Sequence, residues 1–258
     1  MTILLALDSS TDLMALALCT PSGILTFEAA GGAQASARLI PEALGLLARA
    51  GLQLADVDAI GFGRGPGAFT GLRTACAVVQ GLAFGVAKPV LSLDSLMLVA
   101  EDARQQAAVA GAPLAGAIWV AMDARIGEIY AGAYRFEGAD WRTVDAPALY
   151  SPAALLAHWG APDAVAGSAL TVFAGQLGQP ARQWPLSVSR AGALAVLAQQ
   201  AWACGALLDA AEALPLYVRD KVAQTTAERL AASASAIASA SASASASAIL
   251  SAQAVRAA

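Results

Sequence analysis

The segment Gly-Arg-Gly-Pro-Gly-Ala-Phe-Thr-Gly-Leu-Arg at residues 63–73 constrains the fold of this chain more than any other stretch. An apolar run at residues 57–62 precedes it and predicts a buried strand, and a long apolar helix is predicted at residues 70–86. The segment is therefore expected to be a strand-to-helix turn, with Thr70 capping the helix. Three glycines in this turn can take positive φ angles: Gly63, Gly65 and Gly67.

This turn either presents backbone amides to a ligand or simply packs tightly. Free amides at a helix N-terminus suit a phosphate or the carboxylate of a partner. Arg73 favours such an anion, because the helix dipole disfavours a cation in the first helical turn. Tight packing remains the alternative, since glycine-rich turns between a strand and a helix are common.

The composition argues against several classes of protein. The 258 residues suffice for one large domain or two smaller ones. A formal net charge of −4 without a Lys/Arg cluster argues against a chain that binds nucleic acid alone. The charge-free stretches of spanning length, residues 105–122 and an Ala/Ser tail, lack a continuous run of large apolar residues, and no signal peptide is visible. We therefore expect a cytoplasmic protein without a membrane helix. The cysteines lie in apolar runs and are expected to be buried: Cys19, Cys76 and Cys204.

Alternating strands and helices predict an α/β fold with mixed sheets flanked by helices. A first strand at residues 3–7 precedes a predicted hairpin at residues 13–29, and a helix follows at residues 36–50. The order strand, Asp turn, strand recurs around Asp123, which predicts a duplicated fold. The predicted subdomains are residues 1–108 and residues 109–221, with a helix of the second packing back, followed by an Ala/Ser-rich tail at residues 222–258.

Three further elements are predicted in the second half of the chain. Residues 141–144 form a strand, Ser151 caps a short helix that ends at residue 159, and residues 191–213 form a long helix. This half has fewer helices than the first, so the duplication is expected to be imperfect.

The helix at residues 70–86 is apolar on two faces, which is typical of a helix buried on both sides. One face suits the sheet, and small residues four apart on the other allow another backbone to approach closely. If a single layer of helices covers the sheet there, a second protein chain must cover this face, which predicts dimerisation. The residues assigned to the interface are Ala77, Gly81 and Gly85, with Leu39 and Leu44 of the preceding helix.

A carboxylate and three hydroxyls follow the first strand: Asp8, Ser9, Ser10 and Thr11. Paired with Asp123 across a duplicated fold, this turn could hold a metal-bound phosphate in a cleft. Asp and Ser are also ordinary turn residues, and this alternative stays open.

Metal-dependent hydrolysis is argued against by the histidine content. His158 is the sole histidine, so a His-x-x-x-His site cannot be built. The sequence also lacks a Gly-x-Ser-x-Gly elbow and a Walker lysine pattern. We expect His158 to be structural.

The segment at residues 63–73 resembles the hallmark of the bacterial TsaB (YeaZ) family, Gly-Arg-Gly-Pro-Gly-Ser-Phe-Thr-Gly-Leu/Val-Arg, and differs at Ala68, where the family has Ser. Further stretches resemble family motifs in the same order, and together they cover residues 1–221. They are Leu7-Asp8-Ser9-Ser10-Thr11, Met122-Asp123-Ala124-Arg125 with Glu128 and Tyr130, and Pro215-Leu216-Tyr217-Val218-Arg219.

The resemblance implies the duplicated, ribonuclease H-like fold of actin, sugar kinases and heat-shock ATPases. It also implies a non-catalytic scaffold and dimerisation subunit in the formation of N6-threonylcarbamoyladenosine in tRNA, which is not an enzyme by itself. The implied partners are a metal-containing TsaD-type transferase, bound through the first two helices, and a TsaE-type ATPase, with tRNA bound only through the complex. A homodimer of the free protein stays an open alternative.

For the site, the resemblance implies no catalytic residue, no metal and no cofactor of the chain's own, with ATP or ADP at a shared subunit interface. The residues assigned to nucleotide or partner binding are Asp8, Ser9, Ser10, Thr11, Arg64, Gly65, Pro66, Gly67, Phe69, Thr70, Gly71, Arg73 and Asp123. We expect the glycine turn chiefly to position the partner-binding helix, with Arg64 and Arg73 meeting an acid of the partner or a nucleotide.

Two alternative functions remain. An autonomous metalloprotease is disfavoured by the single histidine. A small-molecule kinase would need a second glycine-rich loop, and Gly175 with Gly178 is too sparse to form one.

Overall fold

The computed structural model describes residues 2–219, and only the backbone of Ala33 among them. The predicted Ala/Ser-rich tail at residues 222–258 lies outside the described residues. The strands are β1 (Leu4–Asp8), β2 (Leu13–Thr20), β3 (Gly23–Ala30), β4 (Ala59–Gly65), β5 (Val90–Asp94), β6 (Ala117–Arg125), β7 (Glu128–Glu137), β8 (Asp140–Tyr150), β9 (Ala164–Ala166), β10 (Arg182–Trp184) and β11 (Leu207–Leu208). The helices are α1 (Ala35–Arg49), α2 (Phe69–Val86), α3 (Ser95–Val109), α4 (Pro152–Trp159), α5 (Ala169–Val172) and α6 (Arg190–Ala203).

The two sheets repeat one topology. In the first, the order is β11-β5-β4-β1-β2-β3, and in the second it is β10-β9-β6-β7-β8. Each contains an antiparallel meander, β1-β2-β3 or β6-β7-β8, whose first strand pairs in parallel with a later one, β4 or β9. The predicted duplication and mixed sheets are therefore confirmed, and β11 is an addition to the first sheet alone.

Helices and sheets alternate in layers because each sheet has two apolar faces to bury. Helices α1 and α2 cover one face of the first sheet, and α3 and α6 lie between the two sheets. Helices α4 and α5 cover the outer face of the second sheet. Helix α6 belongs to the second half of the sequence, yet it contacts strands of the first sheet. The predicted subdomain bounds stay a prediction.

Several expected elements have different bounds in the structure. The long helix predicted at residues 191–213 ends at Ala203, because Gly205 adopts a φ of +69° and the chain then forms β11. The strand predicted at residues 141–144 extends to Tyr150. Cys19 and Cys76 are buried as expected, but Cys204 is exposed at the end of α6. Burial raises the pKa of the Cys19 thiol to about 11.

Helix α2 has the length and composition of a membrane span, and it is the one such helix among residues 2–219. Its mean hydropathy is 1.3 over 18 residues, and 33% of that window is buried. Arg73 is the one charged residue of this helix. Its buried residues pack on β4 and the first sheet, as those of a core helix do. The cytoplasmic location stays a prediction.

Candidate functional site

The carboxylate of Asp8 lies at the centre of a buried polar network. Asp8 ends β1, and its side chain is 0% exposed. Arg190 Nε donates to Asp8 Oδ2 at 2.6 Å, and the arginine side chain is only 2% exposed. Hydroxyls of Ser10 and Ser95 donate to the two oxygens of the same carboxylate, at 3.0 and 3.3 Å. Asp8 thus already has a cation and two hydroxyl donors within its own chain.

Arg190 was missed by the sequence analysis, although a signal for it existed. It is the first residue of α6, where the helix dipole disfavours a cation. Arg190 also donates to the Ser10 hydroxyl at 2.7 Å and to the Ser95 carbonyl at 3.3 Å. It therefore joins α6 to both β1 and the start of α3.

Two backbone amides of the glycine turn donate hydrogen bonds to acceptors within the protein. Gly65 N–H donates to the Ser95 hydroxyl at 2.9 Å, and Ala68 N–H donates to the Ser10 carbonyl at 2.7 Å. The predicted cap at Thr70 is wrong: Ala68 is the N-cap residue of α2 and offers no side-chain acceptor, and Thr70 is exposed in the first turn. The family's Ser at position 68 has a hydroxyl that Ala68 lacks.

Close approach, more than backbone conformation, explains the glycines of this turn. Of the three glycines that can take positive φ angles, only Gly65 does so, at +112°. A Cβ at Gly63 would lie 1.8 Å from Asp8 Oδ1, and one at Gly67 would lie 2.3 Å from the Ser10 carbonyl oxygen. A Cβ at Gly71 would lie 1.8 Å from the carbonyl oxygen of Ser9, so the turn must pack directly against residues 8–10.

The remaining predicted residues of this region have diverse surroundings. The Ser9 hydroxyl donates to the Gly71 carbonyl at 2.8 Å. Pro66, which follows Gly65 in the sequence, is buried. Thr11 is only locally bonded, through Leu13 N–H at 3.2 Å. The structure therefore brings Asp8, Ser9 and Ser10 to the glycine turn and leaves Thr11 at the surface.

Asp123 occupies the corresponding place in the second sheet, near the end of β6. Its side chain is 13% exposed and forms an ion pair at 3.4 Å with Arg125, which is 70% exposed. Arg125 also pairs with Asp12 of the β1–β2 turn at 3.1 Å. Arg125 thus links the two Asp-containing turns at the surface, and Asp8 takes no part in that link.

Arg64 lies at the end of β4 beside a buried acid. Its Nε is buried without a hydrogen-bond partner among the described residues, and its positive charge opposes the effect of burial on the pKa of Asp94. Burial raises the pKa of the Asp94 carboxyl, against lowering contributions from hydrogen bonds by Met97, Tyr134 and Leu96. Asp94 caps α3 through Oδ1 and accepts a 3.0 Å hydrogen bond from the Tyr134 hydroxyl, which joins the first sheet to β7 of the second.

Arg73 is held by two aromatic rings at the surface. Its guanidinium carbon lies 3.8 Å from the centroid of Phe69, and its Nε donates to the Tyr217 hydroxyl at 3.0 Å. The two rings are 5.1 Å apart. Tyr217 follows Leu216, whose N–H donates to the Arg64 carbonyl at 2.7 Å. The end of the described chain therefore completes the surroundings of the glycine turn.

The outer faces of α1 and α2 form an exposed surface, here called the α1–α2 face. Both helices lie in a single layer on the first sheet, and the exposed residues of this face are Ile40, Leu44, Gly45, Ala77, Gly81, Phe84 and Gly85. A Cβ at Gly45, Gly81 or Gly85 would meet no atom within 4 Å in the part of the chain that the structure describes. Leu39, assigned to the same interface, instead lies in the core beneath α1 and presents no side chain at this surface.

The described part of the chain has no group of three His, Cys, Asp or Glu side chains that could hold a metal ion. His158 contacts Asp145 at 3.0 Å and stacks on Tyr150, in the second sheet's outer layer. This arrangement agrees with the expected structural role of the histidine.

Comparison with known proteins gives consistent relatives. The family described as TsaD, tRNA N6-adenosine threonylcarbamoyltransferase, matches residues 29–257. The tRNA threonylcarbamoyladenosine biosynthesis protein TsaB of Escherichia coli is 31% identical over 150 residues, which is 58% of this chain and 62% of that protein. The protein of the same name from Haemophilus influenzae is 37% identical over 127 residues, which is 49% of this chain and 51% of that protein.

The chain thus spans between half and two thirds of the length of these curated relatives. Among solved structures, YeaZ from Pseudomonas aeruginosa is 36% identical, with a TM-score of 0.75. That alignment covers 84% of this chain and 100% of the Pseudomonas chain. The similarity therefore extends over both sheets and is not confined to the glycine turn.

Proposed function

We propose a function from one premise: the chain belongs to the tRNA N6-adenosine threonylcarbamoyltransferase family and, within it, to the TsaB (YeaZ) group, with the duplicated ribonuclease H-like fold. It acts in the biosynthesis of threonylcarbamoyladenosine in tRNA. Within that process it is a non-catalytic scaffold subunit that binds and activates a TsaD-type transferase.

The α1–α2 face carries this proposal. Its glycines have open space outside them, whereas the glycines of the turn are enclosed by Ser9, Ser10 and Asp8. Glycine in a helix interior costs about 0.5–1 kcal/mol relative to alanine. Gly81 and Gly85 carry this cost although, within residues 2–219, a Cβ at either position would meet no atom within 4 Å. A partner helix that packs closely on α2 accounts for both, together with the 78% exposure of Phe84.

The network around Asp8 supports a non-catalytic role. A carboxylate that binds a metal ion or a metal-bound phosphate must direct its oxygens toward the ligand. Both oxygens of Asp8 are directed at internal donors, and one of them pairs with Arg190. A nucleotide at this turn would have to displace that guanidinium. We therefore assign ATP or ADP to the subunit interface, near Arg64.

The wider assembly follows from the same assignment. A TsaE-type ATPase joins the complex, and tRNA is held by the complex because this chain, with a net charge of −4, offers little attraction to it. In the absence of the transferase, the same α1–α2 face pairs two copies of this chain as a homodimer.

Reconstitution tests the activity. The purified chain should not modify tRNA alone, and modification should begin when the TsaD-type and TsaE-type proteins of the same organism are added with ATP and the other substrates of the modification reaction. The product is measured as modified nucleoside by mass spectrometry. Modification by this chain alone, or full modification in its absence, would contradict the proposal.

A bulky substitution tests the surface. Gly81→Arg should abolish association with the transferase and leave the thermal unfolding of this chain unchanged, because Gly81 is exposed and an added Cβ meets no atom of the described residues within 4 Å. Ala108→Arg is the matched control, since Ala108 is exposed on α3, away from the α1–α2 face. Equal association of both variants, measured by analytical ultracentrifugation, would refute this surface.

A further inference from the structure

Arg73 is a cation that the protein positions but does not neutralise. Among the described residues, no carboxylate lies within ion-pair distance of Arg73, whereas Arg104, Arg125 and Arg190 each have one. The planar guanidinium of Arg73 stacks on the Phe69 ring, and its Nε donates a hydrogen bond to the Tyr217 hydroxyl. The two terminal nitrogens remain for another acceptor.

Distant parts of the sequence cooperate to hold this arginine. Tyr217 lies 144 residues from Arg73 and is carried by a segment that crosses α2. Gln80 of α2 donates to the carbonyls of Ala210 and Ala213, at 3.1 and 2.9 Å, which fixes that segment on the helix. The guanidinium therefore loses little conformational freedom when it binds, and pre-organisation of this kind increases affinity.

Arg73 also lies on the exposed side of α2 that belongs to the α1–α2 face. Ala77 and Gly81 follow it at one and two helical turns, and both are exposed. A helix laid along Ala77 and Gly81 would extend past Arg73. The outer edge of the guanidinium can then accept a carboxylate in a two-point hydrogen bond.

We propose that Arg73, stacked on Phe69 and hydrogen-bonded to Tyr217, is the anchor for an acidic side chain of the transferase partner. The inference rests on the function proposed above and adds the chemistry of recognition. A carboxylate fits better than a phosphate, because the amides of Gly65 and Ala68 that would complete a phosphate site already have internal acceptors.

Charge reversal at matched arginines tests the anchor. Affinity for the purified TsaD-type partner is measured by calorimetry without nucleotide. Arg73→Glu should weaken binding at least about 30-fold, since it leaves the partner's acid unpaired. Arg142→Glu, at a surface arginine of β8, should leave the affinity unchanged. Tyr217→Phe keeps the ring and removes the hydroxyl, so a loss of about threefold is expected.

The outcomes separate this anchor from the proposed function. Loss of binding in Gly81→Arg with unchanged binding in Arg73→Glu would retain the surface and overturn the anchor. Unchanged binding in both variants would overturn the proposed surface as well. If Arg73→Glu removes only a gain in affinity that depends on added ADP, the anion is a phosphate and the carboxylate anchor is wrong. Thermal unfolding of Arg73→Glu equal to that of Arg142→Glu excludes misfolding.

Discussion

Asp8 and Asp123 hold corresponding places in two repeats of one topology, yet their surroundings have opposite character. Asp8 is buried and bound by Arg190, a residue far along the chain. Asp123 is bound by Arg125, two residues away and exposed to solvent. The first turn therefore depends on tertiary structure that α6 provides, whereas the second is largely a local arrangement. Duplication preserved the strand order and left each turn free to acquire a different role.

Removal of the two arginines should give the largest contrast. Arg190→Met leaves a buried carboxylate unpaired, so we expect a loss of about 3–5 kcal/mol in the free energy of unfolding. Arg125→Met removes an exposed pair and should cost less than about 1 kcal/mol. Both losses in the free energy of unfolding are measured by urea denaturation, with the m-value unchanged from that of the unsubstituted protein. The double variant Asp8→Asn/Arg190→Met should recover part of the loss, and this keeps the test usable if Arg190→Met does not fold.

Glycine-to-alanine substitutions should show that only the first turn, around Asp8, is energetically coupled to its arginine, Arg190. Gly63→Ala places a carbon against Asp8, and Gly167→Ala places one 2.2 Å from the Ala121 carbonyl oxygen. Each should cost about 1–3 kcal/mol. The effects of Gly63→Ala and Arg190→Met should not add, because both displace the same carboxylate, whereas those of Gly167→Ala and Arg125→Met should add. Additivity in both pairs of urea measurements would contradict the contrast.

Serine-to-alanine substitutions should produce a smaller difference. Ser95→Ala leaves the buried Gly65 N–H without its acceptor and should cost about 1–3 kcal/mol. Ser168→Ala removes the acceptor of Asp123 N–H, which is only partly buried, and should cost about 0.5–1.5 kcal/mol. Equal losses in chemical denaturation would mean that the second turn is as enclosed as the first.

The pH dependence of stability should show the smallest effect, and it should come from the first half. Burial raises the pKa of Asp94, so ionisation of this carboxyl disfavours the folded state. The stability that protonated Asp94 gives the folded state is fully present below the ordinary aspartate pKa of about 4, and it is lost as pH rises through the raised pKa. Asp94→Asn should make the melting temperature less dependent on pH between these two pKa values. An unchanged pH profile would show that another group causes the slope.

Local sequence patterns predicted much of the fold. The hairpin β2–β3, the turn before α2 and the recurrence of strand, Asp turn and strand each depend on residues close together in the chain. The bounds of α1 and α2 were correct to within one residue. Strand β10 was missed, since a three-residue strand gives no periodic pattern.

The candidate site was predicted less completely, because its contacts join distant residues. Arg190 and Asp8 are 182 positions apart, and no local pattern distinguishes a buried arginine at a helix start from an exposed one. The glycines at positions 63, 67 and 71 were assigned to backbone conformation or ligand binding. Their physical reason, the close approach of residues 8–10, becomes visible only when β1 and β4 are paired.

The segment that carries Tyr217 also gives the candidate surface a place in the order of synthesis. Strand β1, the glycine turn and α2 all leave the ribosome long before residues 207–217 are made. Until then β5 lacks its antiparallel neighbour β11, and Arg73 lacks the hydroxyl that fixes it. A partner that needs the arginine held in this way would therefore discriminate against the nascent chain. Assembly would begin only when both sheets and the returning segment are complete.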